Sequence, residues 1–157
     1  DTEEIAKEMQ ESVEAVKKTR ENIFWIEEML PKNEIIQLYS HATVFCCPSI
    51  YEPFGIINIE AMACKTAVVA SAVGGIKEVV IPNETGILVE VEQQDTAPFE
   101  PTNPEKFAED LADGINKVVN DNELRNKMEL AGRKRVEDFF DWKAIAKQTE
   151  NLYKTIL

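Results

Sequence analysis

Two carboxylates eight residues apart, Glu52 and Glu60, flank a Pro-Phe-Gly turn and the opening of a helix-forming run, the stretch of this chain best suited to ligand chemistry. A helix starting near Gly55 leaves the backbone N–H groups of Gly55, Ile56 and Ile57 without intrahelical partners, and the helix dipole adds partial positive charge there, so a phosphate can be held. Gly55 has no Cβ and lets a ligand come close to the backbone. Pro53 pushes Glu52 toward an extended conformation, while Glu60 lies about one turn into the helix, where side chains lean back toward the N-terminus. The two carboxylates are therefore expected to converge on one crevice. Beside a phosphate they make sense as acceptors from hydroxyl groups of the same ligand, as in a sugar nucleotide, which carries a ribose, a diphosphate and a hexose. Paired carboxylates also serve glycosidases as acid and nucleophile, but a hydrolase has no need of a diphosphate cradle.

The elements that would position these groups follow from the apolar pattern. Thr43 to Cys47 is a short β-prone run of the kind buried on both faces in a parallel sheet, ended by Pro48. In the next helix Ile56, Ile59, Met62 and Ala63 are predicted to form one apolar face. Upstream, a helix is expected from Glu3 to Arg20, capped by Asp1 or Thr2, with an apolar stripe of Ile5, Met9, Val13 and Val16. Asn22 to Ile26 is expected to be a strand, with Trp25 as core packing. A helix after Pro31 would turn Ile35, Ile36, Leu38, Tyr39 and Ala42 inward. Downstream, Ala67 to Ala70 is a buried strand, Gly74 and Gly75 open a strand-to-helix turn, and Pro82 to Gly86 turns into a strand from Ile87 to Val91. Residues 92–103 are acidic, carry Pro98 and Pro101, and are expected to form a mobile rim. Helices follow from Asn103-Pro104, Asp121 and Asp141-Trp142, with Phe139, Phe140 and Trp142 packed in the core. The alternation predicts an α/β fold, a Rossmann-like parallel sheet sandwiched by helices.

Glu52-Pro-Phe-Gly-Ile-Ile-Asn-Ile-Glu60 resembles the E-x7-E signature of retaining GT-B glycosyltransferases. The flanks Tyr39-Ser-His-Ala, Cys47-Pro-Ser, Glu60-Ala-Met-Ala and Val73-Gly-Gly-Ile resemble the bacterial and archaeal glycogen synthases of glycosyltransferase family 4. The resemblance covers residues 22–115 most closely, and the ordered set of motifs is far more specific than two spaced glutamates. It departs at Lys77, where a proline is usual, and at Asn83-Glu84, where Asp-Gly is usual.

The resemblance implies the C-terminal, nucleotide-sugar-binding half of a glucosyltransferase that moves glucose from ADP-glucose, or another nucleotide sugar, to an α-1,4-glucan. A sucrose-phosphate or cell-envelope glycan synthase and a non-catalytic nucleotide-binding module are the alternatives. It places Glu52 at the transferred sugar and Glu60 at the ribose. The amides of Gly55, Ile56 and Ile57, within the segment Pro53, Phe54, Gly55, Ile56 and Ile57, meet the diphosphate, and Gly74 and Gly75 lie near the donor sugar. The family's domain also carries a Gly-Arg and a Lys on strands that would precede Asp1. Residues 1–157 are therefore read as a single, N-terminally truncated domain, with the glucan acceptor met by an N-terminal domain and no transfer by the fragment alone.

Composition sets outer limits. A chain of 157 residues, 44% apolar and 29% charged, can bury a proper core, and its net charge of −12 disfavours nucleic acid and anionic membrane. No apolar run is long enough to span a bilayer, and a cytoplasmic enzyme is expected. Cys46, Cys47 and Cys64 lack any metal or redox spacing and read as reduced, buried thiols, and His41, without a Ser, Cys or Asp constellation around it, reads as a polar residue near a helix end. Glu90-Val-Glu92 is the nearest approach to a metal-chelating D-x-D, so no metal is expected.

Overall fold

The computed structural model describes residues 2–156, which group into two compact units divided between Pro31 and Lys32. The first unit contains α1 (Glu3–Lys17), whose first turn is capped by Thr2: its hydroxyl oxygen accepts the Ile5 N–H at 3.3 Å. Asp1, the alternative cap, lies outside the described residues. Residues 18–31 are turns and bends, and the strand expected from Asn22 to Ile26 does not form. Asn22 has φ 61°, left-handed backbone that breaks an extended run at its first residue. β-prone composition makes a strand only where a neighbour supplies the ladder.

The second unit is a parallel sheet with helices on both faces. Its elements are α2 (Lys32–His41), β1 (Phe45–Cys47), α3 (Ile56–Ala63), β2 (Val68–Ser71), α4 (Ile76–Val79), β3 (Gly86–Val89), α5 (Pro104–Asn120), α6 (Asn122–Arg135) and α7 (Trp142–Ile156). A π-helical turn, Val136–Phe140, joins α6 to α7. The strands run in the order β1-β2-β3, all parallel, with Cys46 opposite Val69 and Val69 opposite Ile87.

The period of two along the central strand divides the core. Val68 and Ala70 of β2 join Met62, Ile76, Val79, Val80 and Val136, while Ala67 and Val69 join Val118 and Met128, with Leu111, Ile115 and Leu124 packed around them. All four β2 residues are buried, which is why this strand reads as an unbroken apolar run rather than an alternating one. Gly114 lets α5 settle close to the sheet: a Cβ there would stand 3.1 Å from the Val69 side chain.

Several expected faces are turned differently. In α3 the buried residues are Asn58, Ala61 and Met62, with Ile59 and Ala63 half-buried, and Ile56 is exposed because it lies at the helix tip beyond the sheet. In α2, Ile35, Tyr39 and Ala42 are half-buried while Ile36 and Leu38 are exposed. Phe140 packs against the core, but Phe139 is about half exposed and Trp142 is 89% exposed, because the π turn rotates them off the core side. The acidic segment 92–103 is fastened rather than free. Gln93 pairs with Pro101 in an antiparallel bridge, and its Nε2 donates to the carbonyls of Ile50 and Phe99 at 2.5 and 2.8 Å. Tyr51 and Phe99 stack at 5.8 Å with their planes 11° apart.

Candidate functional site at the α3 N-terminus

Parallel strands deliver their C-terminal ends, and the turns that follow, to one side of the sheet. Two such turns meet here, residues 48–55 after β1 and 72–75 after β2. The Ser71 hydroxyl ties them at the strand ends by donating to the carbonyls of Ser49 and, at 3.3 Å, Cys47. Further out the Gly75 N–H donates to the Glu52 carbonyl at 3.0 Å. Gly74 has φ +44°, and a Cβ on it would overlap the Glu52 carbonyl; a Cβ on Gly75 would overlap the Phe54 backbone. The two glycines thus allow backbone to lie on backbone, and the partner they admit is the Glu52–Phe54 turn.

Gly55 is the N-cap of α3, with φ 99° and ψ 39°, a left-handed conformation that favours glycine. It is buried, and a Cβ would stand 3.2 Å from Asn58 Nδ2 and 3.3 Å from the Ile76 side chain. The Gly55 N–H is already engaged. One Glu52 carboxylate oxygen accepts it at 3.0 Å and the Phe54 N–H at 3.4 Å, so the acidic side chain caps its own turn. The Gly55 carbonyl accepts from Asn58 and Ile59. Of the three amides expected to face a phosphate, those of Ile56 and Ile57 have no protein acceptor among the described residues, while that of Gly55 would have to exchange one. The side chains of Ile56 and Ile57 are 61% and 40% exposed, so this helix end opens to solvent.

Glu60 lies on the same helix, half-buried, with an oxygen 3.6 Å from the Lys32 ammonium at the start of α2. Tyr39 is close enough for the Glu60 carboxylate to act on it: burial first, and Glu60 next, push its hydroxyl above the usual tyrosine range, so it remains a protonated donor. The structure therefore gathers Pro53, Phe54, Gly55, Ile56, Ile57, Gly74 and Gly75 into one corner with Glu52. Glu60 is anchored separately, by a lysine that sequence spacing alone does not connect to it. His41 is exposed, its Nδ1 2.8 Å from the Gln37 carbonyl. Among the described residues no group of three His, Cys, Asp or Glu side chains is placed to hold a metal ion, and no helix is long and apolar enough to cross a membrane.

Three features escape the sequence reading. Asn58 is fully buried beneath Gly55, its Nδ2 donating to the Cys47 Sγ at 3.7 Å and its Oδ1 without a hydrogen-bond partner among the described residues. Phe54 meets Phe140 edge to face at 6.2 Å. Arg135, in the last turn of α6, donates from Nε to the Val79 carbonyl at 2.7 Å and from a terminal nitrogen to that of Glu78 at 2.6 Å.

Comparisons with known proteins bear on this corner. The sequence profile described as Glycosyl transferases group 1 matches residues 4–98, more than half of the chain. The α-maltose-1-phosphate synthase of Mycolicibacterium smegmatis is 44% identical over 156 residues, 99% of this chain and 38% of that protein. A glycogen synthase of Mycobacterium tuberculosis is 32% identical over 124 residues, 79% of this chain and 27% of that protein. The chain thus spans well under half the length of these curated relatives. Among solved structures, the sucrose-phosphate synthase of Thermosynechococcus elongatus superposes with a TM-score of 0.75 at 34% identity, covering 97% of this chain and 34% of that one.

Proposed function

Because this chain belongs to the Glycosyl transferases group 1 family, we propose that its α3 corner binds the nucleotide-sugar donor of a retaining glucosyltransferase of family 4. The observation that carries the reading is the open helix end: two amides without protein partners at Ile56 and Ile57, directly after a left-handed Gly55 and beside the Glu52 carboxylate. A diphosphate placed there accepts from the amides and lies at the positive end of the helix dipole. Glu60 accepts from ribose hydroxyls, exchanging its loose pairing with Lys32. Glu52 accepts from hydroxyls of the transferred glucose. In the transfer, the bond from C1 of glucose to the phosphate oxygen breaks, a bond from C1 to the acceptor hydroxyl oxygen forms, and the hydroxyl proton leaves with the nucleoside diphosphate. The helix-end amides stabilise the negative charge that develops on that leaving group.

The donor is read as ADP-glucose and the product as an extended α-1,4-glucan, as in glycogen synthase. The 44% identity to an α-maltose-1-phosphate synthase favours a second acceptor, glucose 1-phosphate, which would give a phosphorylated disaccharide from the same donor chemistry. In either case the acceptor is held outside the corner described above, so residues 1–157 alone carry out no transfer. The test is an assay of the complete gene product with labelled ADP-glucose and either glycogen or glucose 1-phosphate. Label in the glucan supports the first reading and label in maltose 1-phosphate the second. Release of free glucose from an aryl glucoside, abolished by Glu52→Gln, with neither transfer product, would overturn both in favour of a hydrolase.

A further inference from the structure

Behind the donor corner a second assembly is built onto it from the C-terminal helices. We propose that Phe140, held in place by Arg135, is a positioning residue that sets the conformation of the Glu52–Gly55 turn through its contact with Phe54. The proposal rests on reading that turn as the donor site, and four observations carry it.

Phe54 is the residue between Pro53 and Gly55, and its ring is met edge-on by Phe140, with the planes 73° apart. Its backbone N–H is one of the two donors to the Glu52 carboxylate, so moving the ring moves the group that holds the acid. Phe140 is itself braced: the Arg135 guanidinium lies 5.4 Å from its ring centre and 5.2 Å from that of Phe139. Arg135 is fixed in turn by its hydrogen bonds to the Glu78 and Val79 carbonyls at the end of α4, the helix that Gly74 and Gly75 open. Arg133, two residues earlier, donates to the Ala63 carbonyl at the end of α3. One stretch of chain therefore grips the far ends of both site helices and touches the turn that opens the first of them.

The fourth observation is the π turn. The Asp141 N–H reaches back five residues to the Val136 carbonyl at 3.0 Å, which inserts one extra residue into the helix. An inserted residue advances the phase by about 100° relative to an uninterrupted helix, and such turns recur at functional sites. Here it separates the two phenylalanines from the α6 register and lets Arg135 lie over both rings. A residue needed only to fill the core would require neither the cation nor the broken register.

The test uses the complete gene product with Phe140→Leu, which keeps apolar bulk and loses the ring edge, Phe140→Tyr, which keeps the ring, and Arg135→Gln. Two readouts are taken well below each variant's melting temperature: hydrogen exchange of the peptide spanning residues 52–57 without ligand, and KM and kcat for the nucleotide sugar. The expected result for Phe140→Leu is faster exchange at the Phe54 and Gly55 amides and a donor KM raised about tenfold, with kcat changed by less than about threefold. Phe140→Tyr restores both values, and Arg135→Gln falls between. Unchanged exchange in Phe140→Leu, or faster exchange with an unchanged donor KM, overturns the proposal. Failure of the wild-type protein to bind any nucleotide sugar overturns the donor-site reading instead, while the ligand-free exchange result still decides whether Phe140 positions the turn.

Discussion

The Glu52 carboxylate accepts the Gly55 N–H at 3.0 Å, so without a ligand the acid assigned to the sugar caps the helix end assigned to the phosphate. On the proposed function, a donor arriving at this corner would exchange one anionic acceptor for another and release Glu52 to the sugar hydroxyls. Glu52→Gln keeps an acceptor oxygen for Gly55 and should change stability by less than about 0.5 kcal/mol, whereas Glu52→Ala removes the cap and should cost about 1 kcal/mol. Both should weaken donor binding in the complete gene product by about 10- to 100-fold, the worth of one charge-assisted hydrogen bond. Chemical denaturation and donor titration measure the two effects separately. Glu52→Ala with wild-type values in both assays would remove Glu52 from the site.

Gly74→Ala and Gly75→Ala are expected to be severe for a steric reason that concerns backbone, not ligand. The new Cβ would overlap the Glu52 carbonyl in the first case and the Phe54 backbone in the second, and neither atom can rotate away as a side chain would. Gly74 adds the strain of φ +44°. Each variant should lose about 3 kcal/mol or more in urea denaturation. A loss below about 1 kcal/mol would show that the two turns are not packed as described.

Much of this corner is legible in sequence because it is local. The Pro53-Phe54-Gly55 punctuation, the apolar run through β1 and the helix formers after Gly55 are neighbours in the chain, and their geometry follows from turn and helix rules. What sequence does not disclose is who meets whom across a long separation. Lys32 pairs with Glu60, Phe140 with Phe54 and Arg135 with the α4 carbonyls, and each pairing depends on how helices pack. The Asn22–Ile26 segment fails for the related reason that strand character is a property of a ladder, and composition alone cannot supply the neighbour. Phe139 and Trp142 read in sequence as core packing, and the π insertion leaves both of them exposed.

The alkaline side of the stability profile should carry a signature of Cys46. Burial, and then Cys47 beside it, push the Cys46 thiol above the ordinary range, so the folded protein holds that proton more tightly than the unfolded chain does. The stabilisation is complete below the unfolded thiol's pKa of about 8.5 and is lost as pH rises through the folded value, because the unfolded chain ionises first. Tyr39 acts in the same direction from about pH 10. Melting temperature should therefore fall more steeply above pH 8.5 in the wild type than in Cys46→Ala. Superimposable alkaline limbs in the two proteins would contradict the assigned burial of the thiol.

Transfer by the complete gene product should persist in EDTA. On the proposed function the leaving diphosphate would be served by the Ile56 and Ile57 amides and the α3 dipole, a neutralising arrangement that would need no divalent ion. Rates measured in EDTA and after addition of magnesium should agree within about twofold. Loss of activity in EDTA with recovery on magnesium addition would show that the helix end is insufficient.

Asn58 presents the sharpest mismatch between burial and hydrogen bonding in the domain, and its variants should behave in opposite ways. The side chain is fully buried, and among the described residues Nδ2 has only the weak Cys47 sulfur as acceptor and Oδ1 has no partner. An unpaired buried polar atom costs about 1–3 kcal/mol, whereas replacing it by an apolar group of the same shape is close to neutral. Asn58→Leu should therefore fold with stability within about 1 kcal/mol of wild type. Asn58→Asp, which places a buried charge among Cys47, Gly55 and Ile76, should lose several kcal/mol. If Asn58→Leu instead loses as much as Asn58→Asp in ligand-free denaturation, a buried water satisfies the orphan oxygen in solution.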